Sequence, residues 1–281
     1  VALGGRMVSF AGFELPVQYA AGPKAEHSAV RERAGLFDID HMGQLVVSGP
    51  DALPFLQHML TADIAAIPLN HAAYALLCYA DGGTVDDTFV YHLPNRYFVA
   101  INASNNQKDT DWLAAHAIGY DVSVQNVSEQ TYMMALQGPL AGAILQPLCP
   151  ADLAALAYHE AIETTVAGVP GIVSRTGYTG EDGFELYLQA TGAVSVWDAL
   201  MAVGQPQGML PIGLAARDSL RFEACMPLYG QELSATISPL QAGLGWAVSW
   251  TKGDFVGRDA LLKQRLEGVG CSLVAFRMID R

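Results

Sequence analysis

The stretch from Tyr74 to Leu93, YALLCYADGGTVDDTFVYHL, constrains the fold more than any other part of the chain. Residues 80–83, ADGG, separate two apolar runs and are typical of the turn that closes a β-hairpin. Successive side chains in a strand point to opposite faces of the sheet. The pattern therefore predicts an antiparallel hairpin whose second strand carries Asp86 and Asp87 on opposite faces.

The two aspartates have different neighbours. Asp86 shares its face with Thr84 and Thr88, so we expect it to be the solvated member of the pair. Asp87 shares its face with Phe89, among apolar side chains, where an ionised carboxylate is costly and its pKa should rise toward neutrality. Such a carboxylate is suited to act as a general base or a charge anchor, or it caps a nearby turn. The strand alone leaves both interpretations open.

Composition limits the partners of the chain. The 281 residues are enough for about two domains. With 15 basic against 28 acidic residues, the net charge is −13, which argues against a nucleic-acid or anionic-membrane surface. No stretch reaches the roughly 18 to 20 apolar residues of a membrane span. We therefore predict neither a nucleic-acid nor a membrane partner.

The cysteines and histidines show no metal-binding spacing. The four cysteines form no CxxC pair, which favours small core residues in a reducing compartment. The seven histidines also lack paired ligand spacing. No metal site is predicted.

Residues 175–188, RTGYTGEDGFELYL, form a second informative stretch. Gly177, Gly180 and Gly183 would let the backbone approach a flat ligand. On the following strand, the Glu185 carboxylate could accept two parallel N–H bonds from an aminopyrimidine edge. An ordinary glycine-rich hairpin is the more common alternative.

The helix predicted at residues 213–225 places Arg217 and Arg221 on one face, because they stand four residues apart. Arg217 could clamp a carboxylate, from a ligand or from Glu185. The alternative is an ordinary Arg–Asp pair at the surface.

Short strands alternate with helices along the whole chain. Strands are also predicted at residues 244–250, LGWAVSW, and 271–276, CSLVAF. The pattern predicts the α+β class, with antiparallel sheets and flanking helices.

Several motifs in fixed order resemble those of one enzyme family. They are RMVSFAGFELPVQY, EHSAVRERAGLFDIDHMG, DGGTVDDTFVY, SRTGYTGEDGFELY, GLAARDSLRFEACMPLYG and SPLQAGLGWAV. In this order they resemble the aminomethyltransferase family, the T-protein of the glycine cleavage system, over essentially the whole chain. The family's iron–sulfur-assembly relatives carry a KGCY-x-GQE signature where this chain has RTGYTGEDGFE.

The resemblance implies a transferase of glycine catabolism and one-carbon metabolism. It implies transfer of the aminomethyl carbon from the lipoylated H-protein to tetrahydrofolate, releasing ammonia and forming 5,10-methylenetetrahydrofolate. Tetrahydrofolate would be a co-substrate, and no metal is implied. The location would be cytoplasmic, or the mitochondrial matrix if the source is eukaryotic.

The resemblance also assigns roles to residues. The catalytic carboxylate falls on Asp87, the pterin-binding carboxylate on Glu185 and a folate-binding cation on Arg217. The other positions expected to line the folate cavity are Met42, Tyr74, Asn102, Tyr178 and Trp246. Asp40 stands where the family more often has serine.

The family organisation implies two interleaved folate-binding domains with the cavity between them. The first would take residues 1–47 and 128–230, and the second residues 48–127 and 231–265. Residues 266–281 would be the stub of a C-terminal β-barrel domain, as expected for part of a longer protein.

Two other functions on this fold stay open at this point. One is a folate-binding regulatory or assembly protein without turnover. The other is a tetrahydrofolate-dependent demethylase. Release of ammonia from an aminomethyl-loaded lipoyl carrier would distinguish them.

Overall fold

The computed structural model describes residues 3–276, 278 and 279. Its strands are β1 (Arg6–Phe10), β2 (Phe13–Gln18), β3 (Gly35–Asp38), β4 (Gly43–Ser48), β5 (His71–Cys78), β6 (Thr84–Leu93), β7 (Arg96–Ile101), β8 (Ser123–Asn126), β9 (Thr131–Gln137), β10 (Ala161–Val166), β11 (Val169–Ser174), β12 (Gly183–Gln189) and β13 (Leu210–Ile212). Its α-helices are α1 (Pro23–Glu32), α2 (Ala52–Met59), α3 (Asn106–His116), α4 (Ala141–Leu145), α5 (Ala193–Gly204), α6 (Leu214–Glu223) and α7 (Arg258–Glu267).

Two larger sheets carry the fold. One has five antiparallel strands in the order β5-β6-β7-β4-β8. The other has six strands in the order β10-β11-β12-β9-β3-β13, in which only β13 and β3 run parallel. These sheets and their helices confirm the predicted combination of antiparallel sheets and flanking helices.

Each sheet has an outer face covered by helices. Phe55 of α2 and Leu113 of α3 pack on the five-stranded sheet with Val90. Ile144 of α4 and Leu200 of α5 pack on the six-stranded sheet. Because apolar residues on one face of each element need a partner layer, these contacts form two separate outer cores.

The inner faces of the two sheets meet in a third core. Phe37, Tyr91, Phe98 and Tyr187 are buried there together. The Tyr91 hydroxyl lies 2.9 Å from the Tyr187 hydroxyl, so this contact joins β6 of one sheet to β12 of the other. The sheets therefore pack face to face.

The hairpin of β5 and β6 forms as predicted, but Asp86 is buried, which corrects the expectation that it is solvated. Leu77 lies opposite Asp86 and Cys78 lies opposite Thr84, so Val85 is the extra residue of a β-bulge. Asp86 then points to the outer face of the sheet, where Asn105 and the start of α3 cover it. Alternation placed the two aspartates on different faces; it could not show that both faces are covered.

Two predicted strands are absent. Residues 244–250 instead contain a 3₁₀ turn, Gly245–Ala247. The backbone N–H groups of Ala247 and Val248 donate hydrogen bonds to carbonyls three residues earlier. The described residues after α7 form no strand; Val274 and Phe276 are exposed there. Part of the predicted stub, residues 277, 280 and 281, lies outside the described residues. The β-barrel domain and the interleaved domain boundaries stay predictions.

Two of the four cysteines are not core residues. Cys78 and Cys149 are buried as expected, but Cys225 and Cys271 are exposed. In the part of the chain that the structure describes, no group of three or more His, Cys, Asp or Glu side chains could hold a metal ion. None of the described helices has the length and apolar character needed to cross a membrane.

Candidate active site between the two sheets

Asp87 lies on the inner face of β6 and is held by two side chains. The Tyr74 hydroxyl on β5 donates a hydrogen bond to Asp87 Oδ2 at 2.9 Å. The Asn102 amide, just beyond β7, donates to Asp87 Oδ1 at 2.8 Å. The hairpin and its neighbouring strand therefore fix both oxygens of this carboxylate.

The surroundings of Asp87 raise its pKa to about 7. Burial is the main cause and the negative charge of Asp86 is the second; the hydrogen bonds from Tyr74 and Asn102 act in the opposite direction. A group that titrates near neutral pH can both accept and donate a proton. The expected rise toward neutrality is thus present.

Tyr74 and Trp246 form one wall beside Asp87. Their rings stack with centroids 5.4 Å apart and planes 27° apart. The Trp246 side chain is 71% exposed, although aromatic surface of this size is normally covered. The 3₁₀ turn at Gly245–Ala247 thus presents a flat apolar surface at the edge of the site.

Glu185 lies on β12 and one of its oxygens is fully occupied. Oε2 accepts a hydrogen bond from Thr176 at 2.6 Å and longer ones from Tyr91 and Tyr187, each at 3.4 Å. Within the described residues, no hydrogen bond reaches Oε1. Burial raises the pKa of Glu185, while Thr176 and, less strongly, Arg217 lower it. The free oxygen remains an acceptor for a ligand.

Arg217, on α6, lies over the ring of Tyr178 with the guanidinium carbon 4.7 Å from the ring centroid. This distance is in the range of a cation–π contact. The ion pairs among the described residues use other arginines, such as Arg31 and Arg221. Arg217 is thus a half-buried cation. Among the described residues, neither Glu185 nor any other carboxylate lies within ion-pair distance of its guanidinium group.

Met42 lies between β3 and β4 and packs against the core between the sheets. The adjacent His41 is buried against Phe10 and Phe13. Burial and the charge of Arg217 lower the His41 pKa to about 3, so this ring is neutral at physiological pH. A neutral His41 does not compete with Arg217 for an anion.

The sequence-predicted site residues come together around one opening. Asp87, Tyr74 and Asn102 belong to the five-stranded sheet, whereas Glu185 belongs to the six-stranded sheet, and Tyr178 and Arg217 flank it. Tyr91, on the same face of β6 as Asp87, donates a hydrogen bond to Glu185 at 3.4 Å, so both carboxylates are on the sides of the sheets that face each other. Except for the more exposed Trp246, all of these side chains are half-buried inside a region of buried neighbours. Each of them is therefore partly accessible to solvent.

Sequence reasoning missed several polar side chains behind this opening. Thr176 and Tyr187 hold Glu185, and Asn105 and Asp109 surround Asp86. One signal was available for Asp109, which stands four residues before the inward-facing Leu113 and so lies on the same helix face. A carboxylate on a buried helix face needs a partner.

Comparison with known proteins agrees with this architecture. Residues 1–252 match the model of the GCVT N-terminal domain. The aminomethyltransferase of Geobacillus kaustophilus (strain HTA426) is 51% identical over 283 residues, which cover 99% of this chain and 77% of that protein. The aminomethyltransferase of Anoxybacillus flavithermus is 50% identical over 281 residues, with the same coverage of 99% and 77%.

A solved structure supports the same conclusion. The glycine cleavage system aminomethyltransferase T from Bartonella henselae superposes with a TM-score of 0.89 at 34% identity, covering 95% of this chain and 73% of that chain. The fold and the sequence match thus define a protein of the GCVT class. The chain belongs to the GCVT family, and the family predicted from the sequence motifs is confirmed.

Proposed function

We infer that the chain is a tetrahydrofolate-dependent aminomethyltransferase of the glycine cleavage system. The observation that carries this inference is Asp87, whose carboxylate is held by Tyr74 and Asn102 on one side of an opening lined by Glu185 and Arg217 on the other. Relatives that are 50% and 51% identical over nearly the whole chain are named aminomethyltransferases. The predicted cytoplasmic location stays a prediction.

We propose that tetrahydrofolate lies between the two sheets. The free Oε1 of Glu185 would accept N–H bonds from the aminopyrimidine edge of the pterin, because a carboxylate matches two parallel donors. Arg217 would attract a carboxylate of the glutamyl tail. Tyr74 and Trp246 would supply flat apolar contact. Met42, Asn102 and Tyr178 would complete the walls.

We propose that the lipoylated H-protein presents the aminomethyl group to Asp87. The carbon forms new bonds to N5 and N10 of the folate, while its bonds to the lipoyl sulfur and to the amine nitrogen break. The two protons lost from N5 and N10 end on ammonia and on the thiol. A carboxylate that titrates near pH 7 can orient the amine, carry these protons and stabilise the positive charge on the transferred carbon.

Ammonia release tests this function. Purified protein is mixed with aminomethyl-loaded lipoyl H-protein, with and without tetrahydrofolate, and ammonia is measured. We expect release only when tetrahydrofolate is present. Asp87→Asn should keep the tetrahydrofolate affinity within about tenfold, or ~1.4 kcal/mol, and lose most of the turnover. Asp259→Asn removes one exposed charge on α7 and serves as the control.

The outcomes separate the alternatives. Folate binding without ammonia release would favour the regulatory or assembly protein. Transfer from a methylated small molecule, without release from the loaded carrier, would favour the demethylase. Full turnover by Asp87→Asn would remove Asp87 from the proposed catalytic role.

A further inference from the structure

A buried carboxyl group without a hydrogen-bond donor lies behind the proposed site. Asp109, in the first turn of α3, is fully buried. Among the described residues, no donor reaches either of its side-chain oxygens. An ionised carboxylate in this position would be costly. The group therefore needs a neighbouring acceptor to which its protonated form can donate a hydrogen bond.

That partner is the carboxylate of Asp86. Among its neighbours, Asp86 raises the pKa of Asp109 most. A hydrogen bond between two carboxyl groups requires one proton, because two carboxylates offer only acceptors. Burial, followed by the contact with Asp86, raises the pKa of Asp109 to about 11. Asp109, whose pKa is raised, is therefore the group that can donate to Asp86.

Asp86 is in turn the anchor of Asn102. Its Oδ2 accepts the Asn102 backbone N–H at 3.0 Å, and its Oδ1 accepts the Asn102 amide at 2.9 Å and the Asn105 amide at 2.6 Å. The same Asn102 amide nitrogen donates to Asp87 Oδ1 at 2.8 Å. Hydrogen bonds thus run without a gap from Asp86 through Asn102 to Asp87.

Asp86 also lies close to one end of α3. Asn102 precedes the 3₁₀ turn Ala103–Asn105, and Asn105 directly precedes α3. The Asp86 carboxylate that both contact thus lies near the N-terminal end of that helix, where the helix dipole favours anions. Only one negative charge then stands next to Asp87, because Asp109 carries none.

We propose that Asp86 and Asp109 are positioning residues for the transfer reaction, with Asp109 donating to Asp86 so that Asp86 holds Asn102 against the catalytic carboxylate. The inference rests on the proposed function, since it assigns these residues to the proton transfers of Asp87. Neither residue touches substrate. Their effect passes through Asn102 and through the charge of Asp86.

Several ionisable groups surround this pair and must be counted in any titration. Around Asp87 and Asp109 they are Tyr74 of β5, Asp86 of β6, Lys108 of α3, and Tyr178 and Tyr229 of the loops after β11 and α6. For Asp87, the charge of Asp86 outweighs the hydrogen bond from Asn102. Loss of the Asp86 charge should therefore lower the Asp87 pKa even if Asn102 moves.

The first experiment compares Asp86→Asn with Asp111→Asn, which removes the same charge from the exposed side of α3. Ammonia release is measured against pH at saturating tetrahydrofolate. For Asp86→Asn we expect kcat to fall about tenfold or more, a part of the roughly 10²–10⁴-fold that a positioned general base contributes. The acid limb of the kcat profile should move to lower pH. Asp111→Asn should match the wild type in both respects.

The second experiment replaces Asp109 in two ways. Asp109→Asn keeps a donor toward Asp86 and should retain kcat within a factor of about two. Asp109→Leu has a similar size but no donor, so kcat should fall about tenfold or more. This is part of the rate enhancement that a positioned general base contributes. Equal activities of the two variants, or an unmoved acid limb in Asp86→Asn, would overturn the proposal.

A spectroscopic measurement covers the case in which Asp109→Leu does not fold. In the wild type, the infrared carbonyl band of a protonated carboxylic acid should persist above the Asp87 pKa of about 7, where Asp87 itself is ionised. It should disappear in Asp109→Asn, and its absence from the wild type would overturn the proposal. Failure here is distinct from failure of the proposed function, because that failure would abolish ammonia release in the wild type itself.

Discussion

At the scale of residues, neighbouring carboxylates on β6 have different tasks because their surroundings differ. Asp87 faces the opening and titrates near neutral pH. Asp86 is buried behind it and accepts three hydrogen bonds. Glu185 on β12 and Arg217 on α6 form no ion pair with each other. Because Glu185 Oε1 and the Arg217 guanidinium make no hydrogen bond to the described residues, they are suited to a ligand that supplies a donor and an anion.

The hydrogen bond from Tyr74 predicts a shift in the pH profile. The bond favours the ionised form of Asp87, so Tyr74→Phe should raise the Asp87 pKa above its value of about 7. If Asp87 acts as the base, the acid limb of kcat moves to higher pH, opposite to the shift expected for Asp86→Asn. Tyr79→Phe is the control, because the described hydrogen bonds do not include its hydroxyl. A limb that stays in place would show that Asp87 does not set it.

The free oxygen of Glu185 predicts a binding defect. Glu185→Gln keeps the contact with Thr176 but replaces the charged acceptor, and a hydrogen bond to a charged group contributes about 1.5–3 kcal/mol. Calorimetry should then show tetrahydrofolate binding about 10- to 100-fold weaker. Glu163→Gln, an exposed position on β10, should bind as the wild type does. Unchanged affinity of Glu185→Gln would remove Glu185 from the pterin site.

At the scale of elements, the hairpin is the part that places the catalytic group. Its turn is locked to a loop of the second half, since Thr84 bonds the carbonyls of Ser234 and Ile237. The β-bulge at Val85 then determines which face each aspartate takes. The predicted helix at 213–225 is observed as Leu214–Glu223, so Arg217 has the expected position.

The hairpin turn predicts a sharp difference between two glycines. A Cβ on Gly83 would lie 1.9 Å from the carbonyl oxygen of Ala235, whereas a Cβ on Gly142 of α4 has its nearest neighbour, Phe184, at 3.8 Å. Gly83→Ala should lower the free energy of unfolding by about 1–3 kcal/mol or more, because the added methyl group overpacks this turn. Gly142→Ala should be neutral or stabilise by up to about 1 kcal/mol. Chemical denaturation measures both, and equal effects would contradict the packing at Gly83.

At the scale of the whole molecule, the two sheets share one inner core. Tyr91, Phe98 and Tyr187 lie in the same buried cluster although they come from different sheets. The hydroxyl contact of Tyr91 with Tyr187 crosses that core and continues to Glu185. The site is therefore built by the packing of the sheets against each other.

This shared core predicts one unfolding transition. Thermal unfolding followed by circular dichroism and by tryptophan fluorescence should give coincident curves. Tyr91→Phe should lower the stability by about 1–3 kcal/mol, because it leaves buried hydroxyl partners unsatisfied. Tyr97→Phe, on the neighbouring strand, is the control, since no described hydrogen bond uses its hydroxyl. Two separate transitions would mean that the sheets unfold independently.

The sequence by itself determined the hairpin, the α+β class, the opposite faces of Asp86 and Asp87 and, through its motifs, the family. Turn chemistry and strand alternation are local, so a single chain reveals them. Only the tertiary structure decided that Asp86 is buried, because the cover comes from Asn105 and α3. It also decided that residues 244–250 contain a turn supporting Trp246, since their backbone bonds are made within the turn and with Thr61, far away in the chain. Burial on both faces depends on residues far apart in the chain, and no local pattern records it.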